Sequence, residues 1–223
     1  MQAPPPGPRR ARARRAVSEP LPPTRWALGG AKNVGYGERF AELIEQGEDV
    51  FGEARLADAM LARGSRVLDA GAGMGRVGAY LLDHGHRVVA AEPDPALVAQ
   101  ARRTWPGLEV LPLEILALSP DALATAGAPD AYDLVVCVGN VLTFLAEDTE
   151  VAVLERLGSL LAPGGRILAG FHLQRGPASA RTYPPDEFVA DATAAGLRVD
   201  HRFGGYDLRP VDDLYAVWVL SRA

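Results

Sequence analysis

Between Val67 and Arg102 the chain reads VLDAGAGMGRVGAYLLDHGHRVVAAEPDPALVAQAR, and two acidic residues bracket a cluster of glycines. Asp69 ends one apolar run, Gly71, Gly73, Gly75 and Gly78 follow it, and Glu92 ends the next run one helix-length later. A glycine-rich turn between a strand and a helix lets a ligand approach the main chain closely. A carboxylate at the end of the following strand can accept hydrogen bonds from both hydroxyls of a ribose. The chemistry open to these residues is the binding of a nucleoside-type cofactor.

Two kinds of ligand compete for such a loop. GMGRVG (Gly73, Gly75, Gly78) matches the letters of the dinucleotide fingerprint G-x-G-x-x-G. Its register is wrong, because the first glycine after the strand is Gly71, and counting from there puts Arg76 at the third position. Asp69 separates the two further. A carboxylate below the loop would repel a pyrophosphate, which the helix N-terminus is meant to receive. The same carboxylate attracts a ligand without phosphate that carries a cationic head, and S-adenosylmethionine has both an ammonium and a sulfonium. Glu92 serves a ribose in either case and does not discriminate.

The elements that must hold these residues follow from hydrophobic periodicity. From Trp26 to Met60 the pattern is helical, with GYGERFAELIEQG and VFGEARLADAMLARG each ending at glycine. Strand and helix then alternate, as in a parallel α/β protein. SRVLDA, RVVAAE, LEVLPL, YDLVVCVG and RILAGFHL read as strands. GRVGAYLLDHG, PALVAQARRTW, a looser stretch over 120–126, TEVAVLERLGSLLAPGG and PPDEFVADATAAG read as helices. LRVDHRF and DLYAVWVLSR have no helix between them, so the last pair should be an antiparallel hairpin. The expected fold is α/β, a doubly wound Rossmann-like sheet of seven strands, six parallel and the last reversed, with helices on both faces. Its expected organisation is a disordered Pro/Arg-rich extension over 1–25 and one domain over 26–223, capped by helices over about 26–63.

VLDAGAGMGRVG, with its acidic residue ahead of G-x-G-x-G, resembles the glycine motif of the class I S-adenosylmethionine-dependent methyltransferases. VVAAEPDPALVAQAR resembles their second motif, YDLVVCVGNVLTFL their fourth, and LLAPGGRILAG the entry to their fifth strand. The likeness runs from about Tyr36 to the C-terminus. It implies that Gly71 and Gly73 pack against the methionyl part of S-adenosylmethionine with Asp69 in support. Glu92 would hold the ribose, and Pro93 would shape the turn beneath the adenine. Glu114-Ile115 is the nearest match to the family's adenine contact, with a longer acid than usual. Val138 and Asn140, at the end of the fourth strand, would line the cofactor beside the methyl group. GNVL departs from the N-P-P-Y of amino-methylating enzymes that act on nucleic acids and protein glutamine, which counts against those acceptors. Tyr36 and Arg39 either meet the sulfonium and the carboxylate of the cofactor from the helical cap or belong to a face that only covers the core.

Methyl transfer to a hydroxyl or ammonium invites a general base. Of four histidines, His172, just past the fifth strand, is placed best for that role, the alternative being a structural strand end. His84 and His86 belong to the opposite edge and are expected to be solvated. Cys137 reads as a buried strand residue, and no Asp, Glu, His or Cys grouping reads as a metal site. The first 25 residues carry six arginines and one glutamate, +5, so a chain of net charge −5 has −10 in the remainder. An acidic body repels phosphate backbones and argues against nucleic acid as a partner. One cysteine and no apolar run of bilayer length give a cytoplasmic expectation without membrane or disulfides. The expected reaction is methylation of a small-molecule acceptor. The alternatives are a protein or RNA methyltransferase using the arginine tail, or a catalytically silent cofactor-binding regulator. The oligomeric state is open.

Overall fold

The computed structural model describes residues 20–174 and 176–223. Among these, a seven-stranded sheet has the order β3-β2-β1-β4-β5-β7-β6. The strands are β1 (Arg66–Ala70), β2 (Arg87–Ala91), β3 (Glu109–Leu111), β4 (Tyr132–Cys137), β5 (Leu161–His172), β6 (Leu197–Phe203) and β7 (Tyr215–Arg222). β7 runs antiparallel between β5 and β6, and the remaining pairs are parallel, as the hairpin-like tail predicts. The central strands are apolar on both faces because helices cover both, so VLDA and LVVC read as continuous hydrophobic runs rather than alternations.

The cap consists of α1 (Arg25–Gly29), α2 (Tyr36–Glu45) and α3 (Gly52–Ala59). Of the expected N-terminal extension, residues 1–19 lie outside the described part. After β1 comes α4 (Arg76–Asp83), then α5 (Pro95–Thr104), α6 (Pro120–Thr125), α7 (Glu150–Ser159) and α8 (Pro185–Ala194). Their starts are written locally. The Asp94 carboxylate accepts the N–H groups of Ala96 and Leu97 ahead of α5, and the Ser119 hydroxyl accepts that of Ala122 ahead of α6, each followed by proline. One core layer gathers Phe171, Tyr183, Phe188 and Trp218 beneath α7 and α8. The other packs Val67, Val77, Val136 and Leu168 beneath α3 and α4. No helix of the described residues is long and apolar enough to cross a membrane.

Two expectations need correction. The helix expected to close at Pro163-Gly164-Gly165 stops at Ser159, and those three residues belong to the irregular start of β5. Pairing jumps from Tyr132–Leu161 to Leu134–Arg166, so they form a bulge. His86, expected in solvent, is buried, and its Nε2 lies 2.9 Å from Asp58 Oδ1 under α3. The turn before β2 is roofed by the cap, which a reading of the turn by itself does not reveal.

The order reverses at β1, with β2 on one side and β4 on the other. A crevice opens outside the carboxyl ends of strands at such a switch point. The β4–β5 bulge registers this half of the sheet, and Gly165 is needed there. A Cβ on it would stand 2.7 Å from the Tyr132 carbonyl oxygen and 3.0 Å from that of Ala162, both main chain. Gly165→Ala should therefore cost roughly 1–3 kcal/mol through overpacking. Scanning calorimetry should show a melting midpoint lowered by about 2–4 °C per kcal/mol; an unchanged midpoint would mean that the bulge relaxes freely.

Candidate functional site

At the switch point lies a cleft walled by the ends of β1, β2 and β4 and roofed by the N-terminal cap. Its floor is the loop between β1 and α4. Gly71, Gly73 and Gly75 all have positive φ (79°, 58° and 82°), a conformation that costs glycine nothing. Gly71 is required for space as well, since a Cβ there would lie 2.5 Å from Val141 Cγ1.

Two carboxylates fix this loop from below. Asp69 Oδ2 accepts the N–H of Gly78 in the first turn of α4 at 2.9 Å. Glu92 Oε2 accepts the N–H of Gly73 at 2.8 Å, and its Oε1 accepts that of Asp94 at 2.9 Å. Both residues line the cleft, and they are only 3% and 5% exposed. Burial penalises their charged forms and pushes Asp69 up to about 6 and Glu92 up to about 7, against the pull of those N–H donors.

The roof is aromatic. Tyr36 and Phe40 face the cleft from α2, with Trp26 from α1 and Phe144 from the turn after β4. Trp26 meets Tyr36 and Phe144 edge-on at 5.4 and 5.2 Å between ring centres. Its indole N–H donates to Asp94 Oδ2 at 2.8 Å, which ties the roof to the turn after β2. Arg76 supplies the guanidinium. It donates to Glu53 Oε2 at 2.9 Å and to the Val50 carbonyl, and it lies 5.0 Å from the centre of the Phe40 ring.

Most of the residues singled out in the sequence meet here: Tyr36, Asp69, Gly71, Gly73, Glu92, Pro93, Glu114, Ile115 and Val138 all line the cleft. Glu114 has a local duty as well, its Oε2 accepting the Leu116 N–H at 2.9 Å to cap a 3₁₀ turn. Three others sit differently. Arg39 is exposed on α2 and does not line the cleft, because Tyr36, Gly37 and Phe40 define the inward face of that helix. Asn140 is outside the lining too. Its Oδ1 turns to β5, where it accepts the main-chain N–H of His172 at 2.8 Å and lies 2.9 Å from His172 Nδ1. His172 is exposed at the end of β5 and does not line the cleft itself. Cys137 is fully buried and burial pushes its thiol up, so it offers no nucleophile.

Sequence reasoning missed Arg76 and Trp26. Arg76 directly follows the last αL glycine of the loop, a position whose side chain can turn back over the floor. Trp26 carried no periodic signal, and only the fold brings it beside Asp94.

The comparisons agree with this geometry. A sequence profile described as a methyltransferase domain matches residues 68–167. A TehB-like SAM-dependent methyltransferase from Corynebacterium glutamicum is 32% identical, with a TM-score of 0.74 over 85% of this chain and 97% of that one. A carboxy-S-adenosyl-L-methionine synthase from Pseudomonas fluorescens is 32% identical over 148 residues, 62% of this chain, and the match spans 58% of that relative's length. A Burkholderia thailandensis 1,6-didemethyltoxoflavin N1-methyltransferase shares the fold, at 23% identity and a TM-score of 0.58 over 84% of this chain and 87% of that one. Matched in sequence and in fold along nearly the whole of the corynebacterial protein, the chain belongs to the S-adenosylmethionine-dependent methyltransferases.

Proposed function

We propose that this chain transfers the methyl group of S-adenosylmethionine to a small-molecule acceptor. The observation that carries the reading is the pair of buried carboxylates, because each has already taken an N–H that a phosphate would need. Gly73 is bonded to Glu92 and Gly78 to Asp69. A pyrophosphate would meet two acids and few free donors, whereas an ammonium, a sulfonium and a ribose diol fit this lining. The group's own chemistry is a sulfonium that leaves readily from carbon.

In this reading Glu92 holds the ribose through the lone pairs its two N–H donors leave free. Gly71 and Gly73 give the methionyl chain room, with Asp69 beneath. Pro93, Glu114 and Ile115 border the adenine, and Val138 borders the methyl group. Tyr36 lies over the sulfonium, and with Trp26 and Phe40 it excludes water from the transfer. A small acceptor is favoured by the chain's net negative charge. Fold neighbours named for small acceptors, among them the toxoflavin-precursor enzyme and a glycopeptide N-methyltransferase, point the same way.

The test is titration calorimetry with S-adenosylhomocysteine, with NAD as the control. Wild type should bind the former at micromolar strength and ignore NAD. Glu92→Gln and Gly71→Val should each weaken binding about tenfold or more, or roughly 1.4 kcal/mol. Binding of NAD, or no loss in either variant, would sink the assignment.

A second expectation concerns pH. The folded-state values of about 6 and about 7 lie above the ordinary 3.8 and 4.5, so the folded chain holds these protons longer than the unfolded chain. That stabilisation is complete below the ordinary values and is lost as pH rises through the folded ones. Asp58, held down to about 2 mainly by its bond from Arg63, acts in the opposite sense but only in stronger acid. The ligand-free melting midpoint should therefore fall between about pH 4 and about pH 7, and Asp69→Asn should flatten the fall. Affinity for S-adenosylhomocysteine should rise as Glu92 ionises, around pH 7.

A further inference from the structure

We propose that Asn140 is a positioning residue that holds the His172 imidazole in one tautomer, with Nδ1 protonated and Nε2 bare, so that Nε2 takes the proton of a hydroxyl or amine acceptor. The inference rests on the methyl-transfer reading above and extends it to the acceptor.

Geometry fixes the tautomer. The Asn140 side-chain atom facing β5 lies 2.8 Å from the main-chain N–H of His172, which can only donate, so that atom must be the amide oxygen. The same oxygen lies 2.9 Å from Nδ1, which must therefore carry a hydrogen. In the neutral ring the lone pair is left on Nε2. From the other side Tyr215 of β7 meets the ring edge-on, 4.8 Å between centres, so the imidazole is held at two points. Tyr215 is itself fixed by Tyr206, hydroxyl to hydroxyl at 3.0 Å.

Asn140 is equally constrained. Its N–H donates to the Gly170 carbonyl of β5 at 3.1 Å, and its own carbonyl accepts the N–H of Thr143 at 2.9 Å and the Thr143 hydroxyl at 2.7 Å. Its φ is 76°, in a region that asparagine tolerates better than most side chains. Both neighbours, Gly139 and Val141, line the cofactor cleft, and Val141 abuts Gly71. The amide that grips His172 is thus one residue from the wall of the cleft on either side. Desolvation of the ring at the end of β5 lowers the imidazole's pKa below its ordinary value, which favours the neutral form a base needs.

The acceptor class follows from the step. An acceptor oxygen or nitrogen forms its bond to the methyl carbon while the carbon–sulfur bond breaks with its electron pair left on sulfur, and the acceptor's proton passes to Nε2 and then to water. An acceptor that is already anionic has no such proton to lose and no use for this arrangement. The structure therefore points to neutral, protic acceptors such as phenols, alcohols and amines.

The experiment pairs ¹⁵N spectra of histidine-labelled protein with turnover. Spectra are taken about two pH units above the ordinary imidazole value of 6.5, where the neutral ring dominates. Asn140→Gly suits the left-handed backbone and removes only the amide, while Asn140→Asp retains an acceptor oxygen. Wild type should show His172 as the Nδ1–H tautomer, Asn140→Gly a mixture, and Asn140→Asp the wild-type form again. Bound S-adenosylhomocysteine should be held equally by all three, which separates this test from the cofactor assignment. With labelled S-adenosylmethionine and a panel of phenols, alcohols, amines and carboxylates, Asn140→Gly should lower kcat about tenfold or more with KM little changed, and Asn140→Asp should restore much of it. An Nε2–H ring in wild type, an unaltered spectrum in Asn140→Gly, or turnover confined to carboxylates would each overturn the proposal.

Discussion

A carboxylate buried under a glycine loop is an awkward object, and this fold is arranged around two of them. The Glu92 carboxylate links the end of β2 to the loop after β1 through Gly73, and it closes its own turn through Asp94. Asp69 links the end of β1 to α4 through Gly78. Together they set the curvature of the loop, the direction in which α4 leaves it and the electrostatic character of the cleft. An unpaired acid in such a place costs several kcal/mol unless it is hydrogen-bonded or neutral. The backbone donors compensate part of that cost, and burial still holds both pKa values above the ordinary carboxylate range.

Polar latches add to core packing in holding the cap to this floor, since Ala54 and Ala57 of α3 are fully buried in the core. Trp26 reaches Asp94, the Asn33 side chain accepts the Ser179 hydroxyl at 3.0 Å, and Arg25 and Arg181 converge on the nearly buried Glu150. These contacts join the cap to three separate places on the domain, two of them on the acceptor side of the sheet. The aromatic faces of Trp26, Tyr36 and Phe144 then supply the apolar cover.

Much of the fold was legible because its signals are local. Strand ends, the glycine loop, the Asp94 and Ser119 caps and the antiparallel tail all depend on a few adjacent residues, and Asp69, Gly71, Gly73 and Glu92 lie in the cleft as their spacing implies. What was not legible depends on partners distant in sequence. The end of α7 is set by Tyr132, whose N–H takes the Leu160 carbonyl and starts β5 early. His86 is buried by α3, nearly thirty residues away in the chain. Arg39 and Arg76 exchange places for a similar reason. Both are arginines near the cofactor motif, and only the packing of α2 against α5, where Gly37 meets Gln100, decides which of them turns inward.

The two halves of the sheet carry different kinds of information. The floor of the cleft is built from the ends of β1 and β2, and the loop residues that carry it come from a short continuous stretch of chain. The other half, to which the proposed reading assigns the acceptor, is assembled from the ends of β4 and β5 with the reversed β7, so Asn140, His172 and Tyr215 meet only because an antiparallel strand is inserted beside β5. The methyltransferase-domain match covers 68–167 and ends before His172, within the strand that joins the halves. A physical reason lies in the reaction. A fold by itself does not fix which molecule is methylated, so the edge that meets the acceptor is less constrained than the loop that meets the cofactor. In the proposed reading the acceptor is therefore best sought through the geometry of Asn140 and His172 rather than through the glycine loop.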